Sequence, residues 1–381
     1  MKGGFIEFAR PDYGDAEIGA ITSALASGWS TTGPRTAAFE KAFCEYTGAQ
    51  NALAVSSGSA ALHVALVALG IKAGDEVITT PLTFCATVNA ILMTGATPVL
   101  ADVGEDLNIS PEAIRRAITP RTRAILPVHL AGLPCNMDAI GRIASEHSLF
   151  VVEDAAHAAG ASYGETRIGA GSSDAVAFSF YATKNISTGE GGMVTCRDPG
   201  LRERMRILSL HGMSRDAWGR NSTKDTWDYD VVECGFKYNM SDLMAAIGLV
   251  QLARLYEMNC RRAVIARAYN TAFAGVPEVE IPPDSAASTH AWQLYILRLN
   301  PPRLPLDRAQ FIAEMRRRGV ACSVHFKPIP LHSYYRDRLA LPDPCRRAME
   351  EYPRLVSLPL SSSLTDDEVA RVIDAVRETC G

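Results

Sequence analysis

Lys184 stands in the run Phe178-Ser179-Phe180-Tyr181-Ala182-Thr183-Lys184-Asn185, just ahead of Gly189-Glu190-Gly191-Gly192. Thirty residues earlier, after the apolar stretch Leu149-Phe150-Val151-Val152, comes Glu153-Asp154-Ala155-Ala156-His157. A lysine amine condenses with an aldehyde, and a carboxylate set against a pyridine nitrogen keeps that nitrogen protonated, so that the ring withdraws electrons. A lysine and a carboxylate at two strand ends, with glycines following, are therefore what a pyridoxal phosphate enzyme needs. Each residue also has a plainer reading. Most lysines are solvated at the surface, Asp154 could cap the turn that follows it, and His157 could be a satisfied core histidine. The nearly all-apolar run Ala175 to Tyr181 and the glycines at 189, 191 and 192, which permit close backbone approach, favour the chemical reading of Lys184.

Three more features suit the same cofactor. Ser57-Gly58-Ser59 separates a strand ending at Val55 from a helix, and the free N–H groups at such a junction hold anions such as a phosphate. Taken alone it reads sooner as a packing junction, since small residues are common where a strand meets a helix. Ser179 lies five residues before Lys184, placed to donate its hydroxyl to the same phosphate. Phe84 follows Pro81-Leu82-Thr83 at a strand end, where an aromatic ring either stacks on a planar cofactor or joins the core.

The elements that must position these residues alternate. Strands are expected at Glu76 to Thr80, Thr97 to Ala101, Ala124 to Val128 and Leu149 to Glu153. Between them the pattern predicts helices from Phe84 to Thr94, from Pro111, with Ser110 as N-cap, through Ile118, and from Asp138 to His147. That order predicts an α/β fold with a mostly parallel sheet covered by helices. Beyond Thr195 the chain reads as helical, then polar from His211 to Asp230, then as one long amphipathic segment from Ser241 to Phe273. A joint is expected at residues 275 to 287. A strand from Trp292 to Leu299, a helix from Asp307 to Arg318, a strand from Ala321 to Phe326 and a closing helix from Thr365 to Thr379 follow. The expected division is a large cofactor-binding α/β domain over residues 1–250 and a smaller α+β domain over 251–381.

The chain has 381 residues, 47% hydrophobic and 21% charged, with a net charge of −4. That balance gives no electrostatic reason to expect nucleic acid or an anionic membrane as partner. The nine cysteines are scattered without a C-x-x-C pair or a His/Cys cluster at metal-ligand spacing, so reduced thiols and no metal site are expected. Residues 1–10 lack the pattern of a signal peptide, and charges interrupt every long apolar run, so a cytoplasmic location is expected.

The set of motifs resembles the DegT-type sugar aminotransferases, fold-type I pyridoxal phosphate enzymes that aminate nucleotide-linked keto sugars. The likeness runs through Ser57-Gly58-Ser59-Ala60-Ala61-Leu62-His63, Pro127-Val128-His129, Glu153 to His157, and Ser179 with Lys184-Asn185 and Gly189 to Gly192. It continues in His211 to Asp216, Gly235 to Asp242, His290-Ala291-Trp292 and Val324-His325-Phe326. His157 and Lys237-Tyr238-Asn239 resemble most the enzymes that aminate C4 of a UDP-linked 4-keto sugar, including the one forming UDP-4-amino-4-deoxy-L-arabinose. The resemblance implies a seven-stranded sheet, L-glutamate as donor with 2-oxoglutarate as product, and a homodimer with active sites at the interface. It implies that Lys184 anchors the cofactor, Asp154 faces its ring nitrogen, His157 lies beside the ring, Phe84 covers a ring face, and Ser179, Gly58 and Ser59 hold the phosphate. It also implies that Lys237 or Asn239 reaches the partner's cofactor phosphate. Pro330 stands where many relatives have histidine, so the corresponding sugar contact is expected to be either missing or moved to His325 or His332. Amination at C3, a cyclitol ketone as acceptor, and a catalytically idle cofactor-binding regulator remain alternatives. Arg215, Arg220 and Lys224 are candidates for clasping a diphosphate.

Overall fold

The computed structural model describes residues 4–214, 229–283, 285, 287–336, 338–339 and 345–381. Seven strands form its main sheet: β1 (Asn51–Val55), β2 (Glu76–Thr79), β3 (Thr97–Leu100), β4 (Thr122–Leu126), β5 (Phe150–Asp154), β6 (Ala175–Ser179) and β7 (Gly192–Cys196). Their spatial order is β1-β7-β6-β5-β4-β2-β3. Only β7 runs against the rest, pairing antiparallel with β1 and β6, while the other neighbours pair in parallel. The strands are almost continuously buried, as a sheet covered on both faces requires.

One face of the sheet is sealed by the helix Gly58–Ala68, whose Ala61, Leu62, Ala65 and Leu66 pack with Val77, Leu126 and Val152. The opposite face near β1, β6 and β7 carries a second cluster, with Phe39, Phe43, Phe178 and Phe180 in mutual edge and tilted contacts. Helix starts follow from local chemistry. Ser57 Oγ accepts from Ala60 N, Ser110 Oγ from Ala113 N with Pro111 behind it, and Ser241 Oγ from Met244 N. Asp307 with Gln310 and Thr365 with Glu368 form reciprocal capping boxes.

The long amphipathic segment is a single helix, Asp242–Phe273. Its first half supplies Ala245, Leu252, Leu255 and Met258 to the aromatic cluster. Its second half supplies Ile265, Ala266, Tyr269 and Phe273 to another core, built with Tyr295, Leu297, Phe311, Val356 and Val372 around the small antiparallel sheet β8 (Val279–Glu280), β9 (Tyr295–Leu299) and β10 (Leu355–Leu358). Ile6 joins this core and bridges to Val320.

Two expectations for this half of the chain change. Residues 321–326 do not form a strand; the isolated bridge Ile6 to Val320 precedes them and the isolated bridge Ser323 to Ser357 lies within them, after which His325 and Phe326 line the large sheet's crevice. The strand expected from Trp292 begins at Tyr295, because Trp292 is in a positive-φ turn (φ 49°) and stacks on His290 with ring centroids 3.9 Å apart. The amides of Ala291, Gln293 and Leu294 donate instead to the carbonyls of Gly132 and Ala131. Among the described residues no helix is long and apolar enough to cross a membrane.

Candidate active site

A pocket of about 520 Å³ opens where β1, β5 and β6 end and where the loop after β2 begins, with Phe326 and His325 closing it from the smaller unit. Strand-end side chains of an open α/β sheet converge on such a crevice. Lys184, Asp154, His157, Ser179, Gly58, Ser59, Phe84 and His325 all line it. The last residue of β5 carries Asp154 and the last residue of β6 carries Ser179.

Asp154 is buried, its Oδ2 accepting from Thr87 Oγ1 at 2.8 Å and its Oδ1 from Ala156 N at 3.1 Å. Thr87 Oγ1 also pairs with Thr83 Oγ1 at 2.6 Å. Burial raises the Asp154 carboxyl above its usual range, against the opposing pull of Thr87, Ala156 and the Lys184 charge. A cationic ring nitrogen beside it would restore the ionised form. Burial also lowers the Lys184 amine to about 8, with the Asp154 charge holding it up. A readily deprotonated amine is what attack on an aldehyde needs.

His157 is fixed by its neighbours. The amide of Ala131 donates to Nδ1 at 3.3 Å, so the ring proton of the neutral form sits on Nε2. The ring stacks on Phe326, 5.8 Å between centroids. Burial, with the charges of Lys184 and His325 adding to it, keeps His157 well below the ordinary imidazole range, hence neutral. The turn that presents Ala131 is itself braced. Cys135 N donates to His129 Nδ1 at 3.0 Å, leaving the His129 Nε2–H to donate to Glu153 Oε2 at 2.7 Å, with both side chains buried.

The helix Gly58–Ala68 points its N-terminus at the pocket beside Ser179. A Cβ on Gly58 would lie 2.8 Å from Ser179 Cβ, and one on Gly192 would lie 2.5 Å from the Ser57 carbonyl carbon and oxygen. These two glycines let the loop, the helix end and Ser179 close into a cradle of N–H and O–H donors, suited to phosphate. Amine, carboxylate, neutral imidazole donor and anion cradle around one cavity fit pyridoxal phosphate in both charge and hydrogen-bonding capacity.

The remaining expected residues lie elsewhere or at the edge. Phe84 is at the rim, 59% exposed, with its ring 6.1 Å from that of Phe326. Lys237 is exposed and outside the pocket, and Asn239 Nδ2 donates to Thr32 Oγ1 at 2.6 Å. His325 lines the pocket, its Nδ1 2.8 Å from Ser357 Oγ and its acidity moved by burial to about 4, whereas His332 lies outside the wall with Nε2 3.3 Å from the Lys327 carbonyl. Arg215, Arg220 and Lys224 fall outside the described residues. Sequence reasoning overlooked Thr87, Gln293, Glu190, Tyr181 and Phe8, which also line the pocket. Thr83 and Thr87, one turn apart at a helix start after a strand, carried a readable signal; Gln293, beyond the joint, carried none.

The DegT/DnrJ/EryC1/StrS aminotransferase family model matches residues 11–377. The chain is 47% identical over 377 residues, 98% of its own length and 97% of the other's, to the spore coat polysaccharide biosynthesis protein SpsC of Bacillus subtilis. Spr1654 of Streptococcus pneumoniae, assigned as a sugar aminotransferase and solved in its PMP form, superposes with a TM-score of 0.93 at 33% identity, covering 98% of this chain and 99% of that one. DesV of S. venezuelae, solved with a ketimine intermediate, superposes with a TM-score of 0.88 at 37% identity, covering 96% of this chain and 94% of that one. With a fold-type I sheet, a lysine and a carboxylate at its crevice and a family match along nearly its whole length, this chain belongs to the DegT/DnrJ/EryC1/StrS aminotransferases, enzymes that bind pyridoxal phosphate.

Proposed function

We propose that the protein transfers the amino group of L-glutamate to the carbonyl of a nucleotide-linked keto sugar, at C4 of a UDP- or dTDP-4-keto sugar, giving the amino sugar and 2-oxoglutarate. The observation that carries this reading is the meeting of Lys184 and Asp154, with Ser179 and Gly58 beside them, on one cavity large enough for a cofactor and part of a sugar. When bound, pyridoxal phosphate supplies the aldehyde that takes up the amino group and the ring that delocalises the resulting electron pair.

The chain's own groups do the rest. Lys184 Nζ would hold the cofactor and, as a free amine once the donor is bound, would take the proton from the donor's α-carbon and pass it on within the same half-reaction. In the second half-reaction the same amine would deliver a proton to the sugar carbon that receives the amino group. Asp154 favours a protonated ring nitrogen, and Thr87 with Ala156 N keep its carboxylate oriented. His157 offers a neutral Nε2–H to the ring's oxygen substituent. Ser179 Oγ, Gly58 N and Ser59 N bind the phosphate. Lys237 reaches a partner's cofactor in a homodimer, and His325 faces the acceptor.

The test is optical. L-glutamate should convert the visible spectrum of purified holoenzyme to that of the amine form, and UDP- or dTDP-4-keto sugar should restore it. Restoration only by a 3-keto sugar or a cyclitol ketone would move the reading to those acceptors. No change with glutamate would remove it in favour of an idle cofactor-binding protein.

A further inference from the structure

Thr83 and Thr87 are a buried pair, four residues apart, where the loop after β2 enters the helix Cys85–Met93, and both line the pocket. Counting hydrogens fixes the direction of their bonds. Asp154 Oδ2, as a carboxylate oxygen, can only accept, so the single hydroxyl hydrogen of Thr87 goes to it at 2.8 Å. Thr87 Oγ1 also lies 2.6 Å from Thr83 Oγ1. With its own hydrogen committed to Asp154, it can only accept there, so Thr83 donates. Among the described residues Thr83 Oγ1 makes no other hydrogen bond.

A proton on either oxygen of Asp154 runs against this pair. On Oδ2 it would turn the Thr87 hydrogen to its one other partner among the described residues, Thr83, and leave the Thr83 hydrogen without a protein acceptor there. A buried donor so placed is unfavourable. On Oδ1 it would leave the hydroxyls donating to a neutral group, a weaker bond than one to a charge. Two hydroxyls in series also polarise each other, so Thr83 strengthens a bond that it does not itself make. We infer that Thr83 is a positioning residue of the cofactor site: acting through Thr87, it keeps Asp154 ionised and so holds the proton shared with the cofactor on the ring nitrogen. The inference rests on the placement of Asp154 against that nitrogen.

Holoenzyme loaded with pyridoxal phosphate isotope-labelled at its ring nitrogen reports the proton directly, because the nitrogen's magnetic resonance differs widely between the protonated and the free ring. Wild type should give the protonated-ring signal. Thr83→Val, which keeps the shape and removes the hydroxyl, should move the balance about tenfold toward the free ring and slow the glutamate half-reaction about three- to tenfold. Thr83→Ser, which keeps the donor, should give the wild-type signal. A residue that only filled space would show the opposite order, valine tolerated and serine not. If Thr83→Val does not take up cofactor, Thr83→Ala set against Thr83→Ser makes the same comparison, since the two differ by one oxygen. A free-ring signal in wild type, or a wild-type signal in the variant without the hydroxyl, would overturn the inference. Asp154→Asn separates the two ways of failing. A wild-type signal in it would remove the placement of Asp154 and this inference together, whereas a free-ring signal in it beside an unchanged Thr83→Val would overturn the role of Thr83 alone.

Discussion

At the scale of single residues, the site is a set of opposed perturbations. Burial lowers the Lys184 amine to about 8 and raises the Asp154 carboxyl, and each group's charge counters the shift in the other. Lys184 is therefore charged below pH 8 and neutral above it. Covalent capture of pyridoxal phosphate by apoprotein should accelerate about tenfold per pH unit on approaching 8 from below and level off above it. Stopped-flow absorbance across pH 6 to 9.5 reads this, and a flat profile would dismiss the neutral amine as the attacking form. His157 makes a contrasting case. Its neutrality comes from burial and its Nε2–H from the Ala131 amide, so what the site asks of it is a neutral donor. Glutamine supplies one. His157→Gln should retain activity within about threefold, whereas His157→Leu should lose about tenfold or more. Half-reaction rates with L-glutamate decide the matter, and equal losses in both variants would refute the donor role.

At the scale of elements, the site depends on how closely helix ends approach strand ends. Alanine is intrinsically better than glycine in a helix, by about 1 kcal/mol. Gly58→Ala should nevertheless weaken cofactor binding, because its Cβ would meet Ser179 Cβ at 2.8 Å and lie 3.3 Å from that residue's Cα. Overpacking of this kind costs about 1–3 kcal/mol, seen as about tenfold or greater loss of affinity in a cofactor titration; unchanged affinity would mean that the cradle is looser than its geometry. A second junction carries stability. Asp242, fully buried, accepts from Arg35 N, Thr36 N and Thr36 Oγ1 at the N-terminus of the helix Pro34–Thr47. Asp242→Ala should cost about 3 kcal/mol, measured by urea denaturation of the holoprotein. Such junctions mark the boundary of what the sequence discloses. Helices with polar caps, starting after Ser110, Ser241, Asp307 and Thr365, were legible to within a residue. So was the apolar strand expected from Leu149 to Glu153, which is Phe150–Asp154. The segment from Ala321 to Phe326 was not, since its alternation mimics a strand and only distant partners, Ile6 and Ser357, reveal how little of it pairs. Gln293 was illegible for the same reason, because its contacts are with Thr183 and Ala131, more than a hundred residues away.

At the scale of the whole molecule, the described residues of one chain leave the phosphate cradle short of positive charge. Among the described residues the pocket wall includes the carboxylates Asp154 and Glu190 but no Lys or Arg besides Lys184, and Lys184 is committed to the aldehyde end. Neutral N–H and O–H donors from Gly58, Ser59 and Ser179 satisfy hydrogen bonds without neutralising a phosphate dianion. Phe84 and Tyr181, at 59% and 47% exposed, leave an aromatic rim open beside the cavity. Lys237 is exposed and does not line its own pocket, although the next residue's carbonyl accepts from Ser56 N at 2.6 Å beside the cradle; Lys237 makes no ion pair among the described residues, while Asn239 is already bonded to Thr32. A two-fold dimer that brings each Lys237 to the other copy's cradle would supply the missing charge, as isologous pairing does for both sites at once. This arrangement predicts complementation. Lys184→Ala should be inactive, and Lys237→Ala should be weakly active at limiting cofactor. Refolded together from denaturant, the two should form hybrid dimers in which one site carries both defects and the other carries neither. Glutamate-dependent conversion of the spectrum should then exceed the sum of the two variants refolded separately. Activity equal to that sum, with hybrid dimers verified by differential tagging, would place Lys237 outside the partner's site and require the phosphate charge to be met within one chain.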